Sequence, residues 1–160
     1  MQDYVPIDEF PQYGVNEYGE VIRFEDGRQL TPFRVSDDYF YVAFYDNGKQ
    51  FNRSIAQLVA KAFLPKPEPW FNAVIHLDNN RHNNSVDNLA WRPRWFAVAY
   101  RQQMNSRLPI ISPVRIRQTG ERFPSIRILA ATYGLLESEI LQKLDTDMYV
   151  FPFDYCIETA

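Results

Sequence analysis

A single segment, Val74 to Trp91 (VIHLDNNRHNNSVDNLAW), limits the folds open to this chain more than any other. Val74, Ile75, His76 and Leu77 place one histidine in a short apolar run and read as a strand. Asparagines follow at 79, 80, 83 and 84. Asparagine tolerates left-handed backbone and hydrogen-bonds its own turn, so these residues form a loop. A second small strand carries Asn88-Leu89-Ala90-Trp91, and an aromatic, arginine-bearing helix comes after it. A lone histidine on an apolar strand is usually a hydrogen-bonded core group. The Asn-rich loop and the Asn-Leu-x-Trp frame favour a site residue here.

The rest of the chain divides by its punctuation. Tyr13-Gly-Val15, Val21 to Phe24 and Tyr39 to Tyr45 are strand-like runs, separated by turn signals at Asn16–Gly19 and Asp26-Gly27. Asn47-Gly48, followed by Lys49-Gln-Phe51, is a strong hairpin signal, because both central residues tolerate positive φ. Ser54 is positioned to cap a helix through Phe63, with Ile55, Leu58, Val59, Ala62 and Phe63 on one face. Pro65, Pro67 and Pro69 stop it. Farther on, Val114 to Gln118 reads as a strand and Thr119-Gly120 as a turn. Ser125 opens a helix that ends near Gly134, and Leu135 to Leu144 forms a second. Ala130 and Ala131 permit close packing of this pair, which has the form of a helix-turn-helix. Tyr149 to Ile157 reads as a final aromatic strand pairing back onto a sheet. The expected architecture is α+β: a sheet-plus-helix module over 1–66, a ββα finger over 67–104, a linker at 105–111, and a hairpin with helix-turn-helix over 112–160.

With 46% apolar residues, 16% of the chain being aromatic, 160 residues suffice for a real core. No basic-then-apolar leader and no long apolar run is visible, so the expectation is a cytoplasmic protein without a membrane segment. The single Cys156 excludes an internal disulfide and a multi-cysteine zinc site, and is expected to be a small buried hydrophobe. The net charge of −3 hides an uneven distribution. Residues 92–127 carry Arg92, Arg94, Arg101, Arg107, Arg115, Arg117, Arg122 and Arg127 against Glu121 alone, while residues 1–80 and 128–160 each stand at −5. A basic middle between acidic ends is the pattern of a phosphate-binding strip, although a solvated Arg-rich linker would give the same count.

Together these modules resemble those of phage HNH homing endonucleases. Tyr13-Gly-Val-Asn-Glu-Tyr-Gly-Glu-Val21 through Leu58-Val-Ala-Lys-Ala-Phe63 is similar to the nuclease-associated domain of that family. Val74 to Trp91 resembles its ββα finger, and Phe123-Pro-Ser-Ile-Arg with Ala130-Ala131 and Ile140 its C-terminal helix-turn-helix. The resemblance implies that His76 is the general base, which deprotonates water, and that Asn88 is the Asn that ties the loop and orients it. It also places the family's metal ligands where Ile75 and Ala97 stand. Neither side chain can donate to a hard cation that takes oxygen ligands. In the preceding module, Ala56 stands where relatives commonly carry histidine.

The favoured function is therefore double-stranded DNA binding by a phage-encoded protein of HNH descent, with remnant residues His76 and Asn88, no metal ligands and no cofactor. DNA contacts are expected from Arg92, Arg94, Arg101, Arg107, Arg115 and Arg117, with Arg94 and Arg101 sharing one helix face. Arg101 could alternatively pair with the acidic N-terminal module. Glu137 and Glu139 open the second helix of the last module with two negative charges, which repel phosphate and leave it free to touch a protein or to pack. One alternative is an active Mg²⁺-dependent nickase in which Asp78, on the strand face of His76, serves with His82 or Asn84 as a substitute ligand. The other is a protein-binding role for the acidic C-terminal module, as in a virion component or a host-protein inhibitor. His82 is expected to be exposed, and Trp91, Trp95 and Phe96 to lie in the finger core.

Overall fold

The computed structural model describes residues 3–35, 38–65, 67–106 and 112–160. Arg107 and most of the expected linker lie outside these residues. The chain divides into two compact units, Met1–Pro93 and Arg94–Ala160. It is α+β throughout, as the alternation of strand-like and helical runs predicts. No helix among the described residues is long and apolar enough to cross a membrane.

Two antiparallel sheets begin the first unit. Strands β1 (Val5–Ile7), β2 (Phe10–Val15) and β3 (Val21–Arg23) run in the order β1-β2-β3, and β4 (Phe33–Arg34), β5 (Phe40–Asp46) and β6 (Lys49–Ser54) in the order β4-β5-β6. The β5–β6 hairpin closes at Asn47-Gly48, with φ of +48° and +74°, and Asp46 faces Lys49. Positive φ at both central positions matches the turn's twist to that of the strands. Helix α1 (Ile55–Phe63) buries Ala60 and places Ile55, Ala56, Leu58 and Val59 in a core shared with Val15, Val21, Val42 and Phe44. Each fully buried Leu, Val or Phe in such a core is worth about 1.5–3 kcal/mol. Phe44 stacks on Phe10 and meets Tyr13 edge-on, both at 4.8 Å. Ser54 occupies the cap position of α1, yet its hydroxyl makes no capping hydrogen bond. The helix stops where Leu64, preceding Pro65, turns extended. Strands β7 (Ala73–His76) and β8 (Leu89–Arg92) pair antiparallel, with His76 opposite Leu89, and a 3-10 turn (Val86–Asn88) leads into β8.

Helix α2 (Arg94–Met104), third in the chain order of the finger, belongs to the second unit. Its Phe96 is buried against Phe151, with ring centroids 5.8 Å apart. Trp95 departs from the expected finger core: it is 60% exposed. The two are adjacent on a helix and point about 100° apart, so one buried face cannot take both. Strands β9 (Val114–Ile116), β10 (Arg122–Phe123) and β11 (Ile157–Thr159) form a sheet in the order β10-β9-β11. Against it pack α3 (Ile126–Tyr133), through Ile126, Leu129 and Ala130, and α4 (Glu137–Lys143), through Ile140. The Ser125 hydroxyl accepts from the Ile128 amide, and Gly134 ends α3 in left-handed conformation, both as expected. The expected strand over Tyr149–Ile157 is shorter and later. Only Ile157–Thr159 pairs with β9, while Val150 and Tyr155 bridge across a tight turn. Pro152 offers no N–H for a ladder there.

Candidate functional site

His76 ends β7 and is 5% exposed. Its Nε2 stands 2.9 Å from the Oδ1 of Asn84, which is itself buried. With that oxygen as acceptor, Nε2 carries the proton and Nδ1 keeps the basic lone pair. Burial pushes the imidazole pKa below 6.5, partly offset by the Asn84 hydrogen bond and the nearby Asp78 charge, while Arg81 lowers it further. A neutral imidazole with a free lone pair can accept a proton from water near neutral pH.

Asn88 performs a different task from Asn84. Its Oδ1 accepts from the Asp78 amide at 3.0 Å, and its Nδ2 donates to Asp78 Oδ1 at 2.8 Å and to the Asn83 carbonyl at 2.9 Å. It thus binds the two ends of the loop together. The ring contact belongs to Asn84. The strand ends at His76, so Asp78 does not continue its face but turns into the loop. Its carboxylate accepts from the Asn80 amide at 2.7 Å and from Asn83 Nδ2 at 3.0 Å, besides Asn88. Burial would raise its pKa, but these donors together hold it below the ordinary carboxylate value. His82 is exposed, 3.4 Å from Asp38, with its ring tilted against Phe40.

The turn Asn16–Glu20 buttresses this loop from the N-terminal sheet. Asn16 is 1% exposed; its Oδ1 accepts from the amides of Tyr18 and Glu20, and its Nδ2 donates to the Glu20 carboxylate. The Val86 amide donates to the Glu17 carbonyl at 2.8 Å. Gly19, at φ +86°, lies so close that a Cβ there would stand 2.8 Å from Ile55 Cγ2 and 3.1 Å from Asn84 Cβ. The run Asn16-Glu-Tyr-Gly19 signals a turn in the sequence. That the turn braces the partner of His76 is a tertiary fact that no local pattern carries.

The donor set does not fit a divalent ion. Ile75 is buried and aliphatic, and Ala97 ends in a methyl group. Among the described residues no group of three or more His, Cys, Asp or Glu side chains could hold a metal ion.

The arginines expected to touch DNA fall into separate environments. Arg92 is 5% exposed and donates from Nη1 to the Trp91 carbonyl at 2.7 Å. Arg115 and Arg117 both pair with Glu158 on β11, and Arg117 also reaches Asp147 at 2.5 Å. Arg127 pairs with Glu137, and Lys143 with Glu139 at 2.5 Å. The acids after residue 128 thus neutralise much of the basic strip. Arg94 and Arg101 are exposed on α2 and make no ion pair among the described residues. At roughly 100° per residue, Arg101, Arg94, Val98, Gln102 and Trp95 fall within an arc of about 120°, and all five are exposed.

No family model matches the chain. Among curated proteins it is 35% identical over 91 residues to the H-N-H endonuclease F-TflII of Escherichia phage T5, covering 56% of this chain and 47% of that protein. It is 33% identical over 91 residues to the uncharacterized HNH endonuclease L247 of Acanthamoeba polyphaga mimivirus, covering 57% of this chain and 23% of that one. Over a little more than half of its length the chain is thus similar to HNH endonucleases. Its match spans less than half the length of these relatives. The fold is that of the HNH homing endonuclease I-HmuI, whose structure describes DNA binding and cleavage by that enzyme. The TM-score is 0.57 at 21% identity, over 99% of this chain and 98% of the other. The HNH descent expected from Val74–Trp91 therefore holds, and the α+β fold with it.

Proposed function

We propose that this HNH-family chain binds duplex DNA through the exposed face of α2 and that its nuclease centre has lost the means to hold a metal. One contrast carries this reading. Arg94 and Arg101 stand exposed without ion-pair partners among the described residues, while the expected ligand positions hold Ile75 and Ala97. His76 and Asn88 are then remnants of a catalytic frame that now serves stability. Of the other arginines, Arg115 and Arg117 contribute to DNA binding only if their carboxylate partners release them, and Arg92 is buried.

Binding should weaken steeply with salt, log K falling by about 0.9 per phosphate contacted for each unit of log salt. A gel shift at low salt in EDTA tests this, and no retardation there would refute it. The nuclease half is tested by supercoiled-plasmid nicking in Mg²⁺ or Mn²⁺. Nicking that disappears in His76→Ala would show a working centre. Such a centre would need Asp78 as a substitute ligand, and both of its oxygens already accept hydrogen bonds.

A further inference from the structure

A groove with a volume of about 540 Å³ opens in the first unit, bounded by β1, the C-terminal half of α1, the connector at 67–71 and Trp91 of β8. Its size is that of a small-molecule pocket. The apolar part is built from Ile7, Leu58, Phe71 and Trp91. The Trp91 indole is pinned, since its Nε1–H donates to the Ala60 carbonyl at 3.3 Å.

The polar groups of the groove are mostly acceptors, and the prolines explain why. In a continuing helix the carbonyls of Lys61, Ala62 and Phe63 would accept from the amides of residues 65, 66 and 67. Pro65 and Pro67 have no N–H to give. The last bond of α1 runs from the Leu64 amide to the Ala60 carbonyl, and among the described residues no donor reaches the three carbonyls after it. Lys61 and Ala62 line the groove, which therefore meets the negative end of the helix dipole. Asp8 and Glu68 also line it, and neither carboxylate has an ion pair among the described residues. The Lys61 ammonium is drawn to Glu9, 3.3 Å away. A ligand that brought further acceptors would leave all of these groups unmet, whereas a cation that only donates would satisfy them.

We infer that this groove binds a small organic amine, its ammonium placed among the α1 carbonyls, Asp8 and Glu68, and its apolar body against Leu58, Phe71 and Trp91. The binding is non-covalent and independent of the duplex-binding reading.

The test titrates the full chain, isotope-labelled and at constant ionic strength, with three probes that share one phenethyl body: phenethylamine, phenethyl alcohol and hydrocinnamate. The expected result is a saturable shift of the Trp91 indole N–H with phenethylamine, with a Kd of about 1 mM. The indole of Trp95, in the second unit, stays unmoved as the control. The alcohol should bind about tenfold more weakly, for want of the charged hydrogen bonds, and the carboxylate not at all. Asp8 and Glu68 are exposed, so Asp8→Asn with Glu68→Gln leaves the fold intact and should weaken the amine about threefold or more. Absence of a saturable Trp91 shift with the amine overturns the site. So do equal affinities for the three probes, or an amine affinity unchanged in the double variant, since either result removes the selection for a cation.

Discussion

Gly19 couples the N-terminal sheet to the His76 loop, and replacing it by alanine should show how tightly. Two penalties apply. An L residue in left-handed conformation costs about 1–2 kcal/mol. The new methyl would also stand 2.8 Å from Ile55 Cγ2 and 3.1 Å from Asn84 Cβ, and overpacking of that kind costs about 1–3 kcal/mol. Gly27 supplies the control. Its φ is +67°, yet nothing lies within 4 Å of an added Cβ, so Gly27→Ala should show only the backbone penalty. Urea unfolding followed through amide signals of residues 3–93 should then give a loss of about 2–5 kcal/mol for Gly19→Ala against about 1–2 kcal/mol for Gly27→Ala. The His76 ring nitrogens provide a second readout. Pushing Asn84 away should loosen the Nε2–H contact and mix the two tautomers in Gly19→Ala alone. Equal destabilisation of the two variants, with an unchanged His76 tautomer, would refute the claim that the turn braces the site.

Asn88→Ala removes three hydrogen bonds at once and leaves the Asp78 amide without its side-chain acceptor; a loss of about 2–4 kcal/mol is expected by denaturant melting. His76 has a folded pKa below its unfolded value near 6.5, so the unfolded chain binds the extra proton first. Stability should therefore fall as pH drops below about 6.5 and level off once the folded pKa is passed, and His76→Gln should flatten that part of a thermal-melt pH profile. Arg94→Ala with Arg101→Ala should reduce the salt slope of duplex binding by about 1.8 if each contacts one phosphate, measured by anisotropy. Glu158→Gln releases Arg115 and leaves Arg117 with Asp147 alone, and it should leave binding unchanged or tighter, never weaker, if those arginines reach the duplex.

Elements built from neighbouring residues were legible in the sequence. The β5–β6 turn is written in Asn47-Gly48, the ends of α3 in Ser125 and Gly134, and the finger strands in the apolar runs flanking the Asn loop. What escaped is non-local. Glu158 neutralises Arg115 and Arg117 from more than forty residues away, so counting arginines along the chain overstates the usable positive charge. Trp95 looks like core by composition but lies on the open side of α2, since periodicity depends on where the helix begins. The loop holds five asparagines with near-identical propensities. Which one faces the imidazole is decided by the turn at Asn16–Gly19, through contacts that a sequence window does not span.

Gln103, near the end of α2, donates from Nε2 to the Leu135 carbonyl at 2.7 Å and accepts through Oε1 from the Glu137 amide at 2.8 Å. Helix α4 has no side-chain cap from Leu136, so this one amide seals both the turn after α3 and the start of α4. An exchange of modules between relatives at the 105–111 junction would separate that amide from the two backbone groups it serves. An exchange at Pro93 would carry them together. Chimeras joined at Pro93 should therefore retain the helical pair's melting behaviour, whereas those joined after Ser106 must bring a glutamine, or its equivalent, at the same point of their own helix.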